Sequence, residues 1–175
     1  MSQAQVLLIL ATTMAKWKPK TTWRDKLEKE HPNHGKIVDC PEVWAKGKDG
    51  ATMLIPVPMN IDELVRKIPS GSLTDMSNIR QRLAGDAGAD IACPMTTGIF
   101  LKFVALAAEE DRVNELEPAP YWRLLKDGGK LNPKYPGGVD DHAALLIEEG
   151  HEILLNRKGR PAKVADYEES IFIFC

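Results

Sequence analysis

Apolar and polar positions alternate along this 175-residue chain in a way that divides it into short elements. Residues 22–30 (T-W-R-D-K-L-E-K-E) set Thr22 as a helix cap ahead of charged residues grouped around Trp23 and Leu27. Residues 36–39 read as a brief strand. Residues 52–57 (T-M-L-I-P-V) read as another, which Pro56 and Pro58 confine to a sheet edge. The period then becomes helical. Asn60 caps a helix over 61–68 with Ile61, Leu64, Val65 and Ile68 on one face. A second helix over 75–84 buries Met76, Ile79 and Leu83. After the glycine-rich 85–89, Cys93-Pro94 opens a longer helix, with proline in the first turn where it is tolerated. That helix runs through I-F-L-K-F-V-A-L-A-A-E-E to Asp111 or Arg112. Residues 121–125 read as a strand, D-G-G as a tight turn, and Leu131 as the returning arm. A last helix spans 139–149 with Ala143, Leu146 and Ile147 inward and Gly150 as its terminal cap. Residues 151–155 and 164–174 then read as paired terminal strands.

These elements predict an α+β fold, mainly helical. Helix, glycine turn and longer helix form a helix-turn-helix outline, and the D-G-G hairpin serves as its small wing. The winged helix-turn-helix core is expected over 59–175, behind an N-terminal extension over 22–58 made of a short helix and an edge strand. Residues 1–21 are either a flexible basic tail or an over-long start, with Met14 as the alternative first residue.

Composition narrows the classes. A chain that is 43% hydrophobic and 27% charged is an ordinary globular one, which excludes wholesale disorder and a multi-span membrane protein. The V-L-L-I-L-A run at 6–11 is far shorter than the ~20 residues of a membrane helix and lacks the charged leader of a secretory signal. No membrane partner is expected. Net charge of −2 announces no nucleic-acid partner, yet residues 16–29 hold six basic residues against two acidic ones. Such a cluster follows a phosphate backbone or is simply solvated. Cys40, Cys93 and Cys175 are widely spaced, there is no C-x-x-C pair, and the four histidines lack zinc-ligand spacing. The expectation is a cytoplasmic protein with no disulfide framework, metal or cofactor. No G-x-S-x-G, P-loop or G-x-G-x-x-G is present.

The order Pro120, Arg123, Gly129, Tyr135, Gly137, Gly138, Leu145, Leu146, Glu149 and Gly150 resembles the DNA-binding domain of 6-O-alkylguanine-DNA alkyltransferases and their alkyltransferase-like relatives. The likeness covers about residues 61–153. The family's active motif is P-C-H-R, in which a buried cysteine accepts the alkyl group while histidine and a distant glutamate draw off its proton. Here the motif reads Pro120-Tyr121-Trp122-Arg123. Glu149 matches the glutamate, but its relay has no partner. A phenol with a pKa near ~10 is a weak nucleophile without a base beside it. Alkyl transfer at this position is therefore not expected. The alkyltransferase-like relatives have lost the same cysteine and bind alkylated guanine without chemistry. The resemblance thus implies a non-enzymatic DNA-repair protein with double-stranded DNA, alkylated DNA included, and other repair proteins as partners. Tyr121, Trp122 and Glu149 would line the pocket for a flipped base.

The family's tyrosine in the first helix of the motif falls near Met76, and its intercalating arginine falls near Gly98. If a wedge exists, Ile99 or Phe100 supplies it; otherwise both are core. Expected DNA contacts are Thr96, Thr97 and Lys102 on the long helix, and Arg123, Lys126 and Lys130 around the wing. Two other readings stay open. Cys93, at the start of the long helix, is either a relocated alkyl acceptor or a small buried hydrophobe. The scaffold is alternatively a protein-interaction module that has lost DNA binding.

Overall fold

A computed structural model describes residues 21–174. The 6–11 run, Met14, Lys16, Lys18, Lys20 and Cys175 lie outside the described residues. Among those described, six α-helices occur: α1 (Trp23–Glu28), α2 (Glu42–Ala45), α3 (Pro58–Arg66), α4 (Met76–Ala87), α5 (Pro94–Val113) and α6 (Gly138–Glu148). The strands are short: β1 (Ile37–Asp39), β2 (Thr52–Leu54), β3 (Thr74–Asp75), β4 (Ile91–Ala92), β5 (Leu124–Leu125), β6 (Ile153–Leu155) and β7 (Pro161–Val164). The α+β, mainly helical class holds.

Helix α5 is the axis of the core. Leu101, Val104, Ala105, Ala107 and Ala108 are buried along it, facing Ile61, Leu64 and Val65 of α3 and Ile79, Leu83 and Ala84 of α4. The small alanine side chains let α1 and α3 pack closely on one helix. The extension shares this core through Leu27 of α1. Thr22 and Asp25 form a reciprocal capping box. The Glu110 carboxylate, from the far end of α5, accepts from the Trp23 N–H at 2.8 Å and the Arg24 N–H at 3.2 Å. Arg24 and Arg66 meet the largely buried Asp62 and Asp111, so the charges that hold α1 and α3 to α5 are mutually paired.

Several boundaries differ from the sequence expectation. Helix α3 begins at Pro58, not after Asn60, and has no side-chain cap; proline suits a first turn because its missing N–H would be unpaired there anyway. The expected edge strand is central: β2 lies between antiparallel β1 and parallel β4. Pro56 and Pro58 do not confine it, because both fall beyond the paired residues Thr52–Leu54. Asp75 caps α4 by accepting from the Asn78 N–H at 2.8 Å. The α4–α5 connection is pinned by β4 pairing with β2.

Only Leu124–Leu125 of the expected 121–125 strand is extended. Tyr121–Arg123 forms a 3₁₀ turn, and β5 pairs in parallel with β3. The hairpin forms one step later, where Lys126 and Lys130 exchange backbone hydrogen bonds of 2.9 and 3.2 Å around Asp127-Gly128-Gly129. Gly129 has a positive φ of 72°, and a Cβ there would lie 2.4 Å from Tyr167 Cδ1, so this turn admits only glycine. Strand β6 pairs with β7 at 161–164, earlier than expected. The last residues run beside Leu73 instead: Phe172 N–H donates to the Leu73 carbonyl at 2.6 Å. Ile147, expected inward, is 57% exposed; Leu145 is buried in its place.

Candidate nucleic-acid interface

The P-Y-W-R corner is closed. Tyr121 is 1% exposed, its ring set edge-on to Trp122 and Tyr135. Its hydroxyl donates to Glu109 Oε1 at 2.8 Å. Burial, with the Glu109 carboxylate beside it, pushes the phenol well above its usual value, so it stays protonated and is no nucleophile. As a pocket wall Tyr121 is thus corrected: its ring is part of the core. Trp122 is half-buried, and its indole N–H donates to Glu149 Oε1 at 2.8 Å.

Arg123, expected on DNA phosphate, is turned inward. Its Nε and Nη2 reach the Glu149 carboxylate at 2.7–2.9 Å, and Nη1 donates to the Ile68 carbonyl at 2.6 Å. Its side chain is 15% exposed and that of Glu149 12%. Glu149 also accepts from the Gly71 N–H at 3.2 Å. Burial pushes this carboxyl up, but its bonds to Arg123, Trp122 and Gly71 outweigh that and hold it below the usual carboxylate range. With the fork on the Glu149 carboxylate and Nη1 on a backbone carbonyl, this largely buried guanidinium is committed within the protein rather than presented to a phosphate. The pair joins the turn after α3, the corner and the end of α6.

His142, which the sequence did not single out, anchors the same corner. The fully buried ring accepts from the Asn132 N–H at Nδ1 (3.1 Å) and lies 2.7 Å from the Trp122 carbonyl at Nε2. The first bond requires the neutral tautomer with its proton on Nε2. Burial lowers its pKa to about 4, consistent with a ring kept neutral. Glu109 was equally invisible: nothing in the helical pattern marks it as the partner of Tyr121.

At the start of α5 the expected contacts divide. Thr97 is fully buried and its hydroxyl donates to the Cys93 carbonyl at 2.7 Å, so it faces the helix interior rather than phosphate. Cys93 is 5% exposed with its N–H on the Leu54 carbonyl, which fits the small buried hydrophobe better than an acceptor that substrate must reach. Thr96 is half-buried at the rim. Lys102, Lys126 and Lys130 are exposed.

The open surface is the other side of the same helix. Met95 is 61% exposed and Ile99 46%, and with Gly98 and Lys102 they form one stripe along the first turns of α5. Ile99 therefore lies outside the core, while Phe100 packs against it. Gly98 is not required by packing. A Cβ there would meet Met76 Cε at 3.9 Å, an ordinary contact, yet glycine inside a helix costs about 1 kcal/mol against alanine. Among the described residues no group of acidic, histidine or cysteine side chains could hold a metal ion, and no helix is long and apolar enough to cross a membrane.

No protein-family model and no curated protein matches the chain. Among solved structures it is similar to the crystal structure of S. pombe Atl1 in complex with damaged DNA containing O6-carboxymethylguanine. The identity is 19%, the match covers 66% of this chain and 93% of that one, and the TM-score is 0.45. A superposition that loose leaves function to the residues themselves.

Proposed function

We propose that the chain is a DNA-binding protein of alkyltransferase-like type that engages duplex DNA, damaged or alkylated DNA included, and transfers no alkyl group. The observation that carries this reading is the stripe Met95, Gly98, Ile99 and Lys102 at the amino-terminal half of α5. In a helix-turn-helix unit the amino-terminal residues of the second helix are the ones that meet base edges. Apolar side chains there suit a wedge between base steps, and a bare Gly98 lets a backbone come close. Lys102, Lys126 and Lys130 supply phosphate contacts. The absence of alkyl transfer is supported by Tyr121, which replaces the acceptor and is sealed against Glu109. For an extruded base, the ring available for stacking is the half-buried Trp122 indole.

The test is fluorescence anisotropy on two matched duplexes, one carrying 6-O-methylguanine, at two salt concentrations. Salt-sensitive binding is expected, and Ile99→Asp should weaken it at least about tenfold by placing a carboxylate against phosphates, with unchanged melting. Tighter binding to the lesion would support damage recognition; equal binding would leave a general duplex binder. The intact mass of the protein should not change after incubation with alkylated DNA. Binding to neither duplex would refute the proposal and favour a protein-interaction module, for which the exposed Met95 and Ile99 are also suited.

A further inference from the structure

The N-terminal extension builds a groove against α5 in which Thr96 is the one expected DNA contact. It has a volume of about 540 Å³ and is lined by His31, Asn33, His34 and Lys36 on one side and Thr96 and Phe100 of α5 on the other. Its construction follows from local rules. The turn at 31–36 is closed by the His34 N–H on the His31 carbonyl at 2.9 Å and the Lys36 N–H on the Asn33 carbonyl at 3.3 Å. Strand β1 then alternates, so that Lys36 and Val38 face the groove while Ile37 and Asp39 face away. The two imidazoles lie 5.3 Å apart, and His34 stands edge-on to Phe100 at 5.2 Å.

The chemistry of the lining points one way. Its polar groups are one ammonium, two imidazoles, an amide and a hydroxyl, set over the Phe100 ring and the aliphatic Val38 and Ile55, and no carboxylate lines it among the described residues. Lys36 is exposed, and among the described residues its ammonium donates to Asn33 Oδ1 at 3.3 Å. Burial and the neighbouring His31 lower the pKa of His34, so near neutral pH it serves as a neutral N–H donor. The groove also shares Thr96 and Phe100 with the first turns of α5, directly beside the exposed stripe, so a strand lying on Met95 and Ile99 passes its mouth.

We infer that this groove is a second nucleic-acid contact, in which Lys36 and the His31–His34 pair hold a backbone phosphate of the same duplex that α5 engages. The inference rests on the proposed function. It makes the extension part of the binding surface and assigns to it a phosphate-positioning role that the inward-turned Arg123 does not take.

The experiment is a salt titration of duplex binding at pH 7.5 for the full chain and for Lys36→Gln and His31→Gln. Both positions are exposed, so unchanged melting curves should accompany each variant. Losing one phosphate contact should weaken binding several-fold and flatten the slope of log K against log salt by about 0.9 for Lys36→Gln. The ratio of affinities for lesion and undamaged duplex should not change, because a phosphate contact carries no base information. If the parent chain binds but both variants keep its affinity and slope, the groove is not a contact while the proposed function stands. If the parent chain binds neither duplex, the proposed function fails and this site fails with it.

Discussion

The P-Y-W-R corner and the first turns of α5 make opposite use of their side chains. At the corner each polar side chain named above has a partner inside the protein: Tyr121 with Glu109, Trp122 and Arg123 with Glu149, His142 with two backbone groups. The first turns of α5 expose two apolar side chains, a glycine and a lysine. The motif-bearing region has become architecture, and the region without a motif is the one left open. Residues of catalytic type are therefore poor guides here. A tyrosine, an arginine, a glutamate and a histidine gathered within one corner each find a partner inside the protein, which is what buried polar groups must do to persist.

The sharpest way to break this contrast is to open the corner. Arg123→Ala leaves Glu149 and the Ile68 carbonyl without their main donor, and breaking a mostly buried pair on one side costs about 3–5 kcal/mol. Urea unfolding should register that loss. DNA affinity per folded molecule should stay unchanged; a variant that folds as well as the parent but binds DNA weakly would return Arg123 to the interface.

Acid tests the same corner with a smaller effect. His142 has its pKa lowered from 6.5 to about 4 in the folded chain, so the unfolded chain takes up a proton first. Stability should be level above pH 6.5, decline as pH falls through the interval, and be lower by about 3 kcal/mol below pH 4. Glu149, also depressed, adds a loss that begins below its ordinary value of 4.5. Unfolding midpoints measured from pH 7.5 to 4 give the curve. A flat curve between pH 6.5 and 5 would mean that His142 is not held neutral.

The mildest change probes the open side. Gly98→Ala should raise stability by up to about 1 kcal/mol, because the helix gains a better former and the methyl has room beside Met76. The same methyl should weaken duplex binding if a backbone approach by DNA is what keeps glycine there. A thermal melt and an anisotropy titration on one sample decide it; a more stable protein with unaltered affinity would move the contact elsewhere on α5.

How much of this was legible in the sequence depends on the range of the signal. Helices α3, α4 and α5 announce themselves because their apolar faces repeat within the window that periodicity samples. Pro94 fixes the start of α5 for a purely local reason. Strand β4 is two residues long and exists because β2 is beside it, so nothing in Ile91-Ala92 reveals it. The inward turn of Arg123 depends on Glu149, 26 residues away, and the sealing of Tyr121 depends on Glu109, 12 residues earlier on another helix. Residue type suggested contacts at Arg123, which a distant carboxylate had already claimed, and at Thr97, which is buried and bonded to the Cys93 carbonyl one turn earlier. Lys36, His31 and His34 carried no signal, since only the docking of the extension on α5 brings them beside Thr96 and Phe100.

The cap that Glu110 places on α1 also bears on how the chain is made. Trp23 and the carboxylate that receives its N–H are 87 residues apart in sequence. During vectorial synthesis at about 5–20 residues per second, α1 would wait roughly 4–17 s for its seat to be translated. Over that interval Trp23 and Leu27 have no α5 to cover them, so these apolar side chains stay open on the nascent chain until α5 is made.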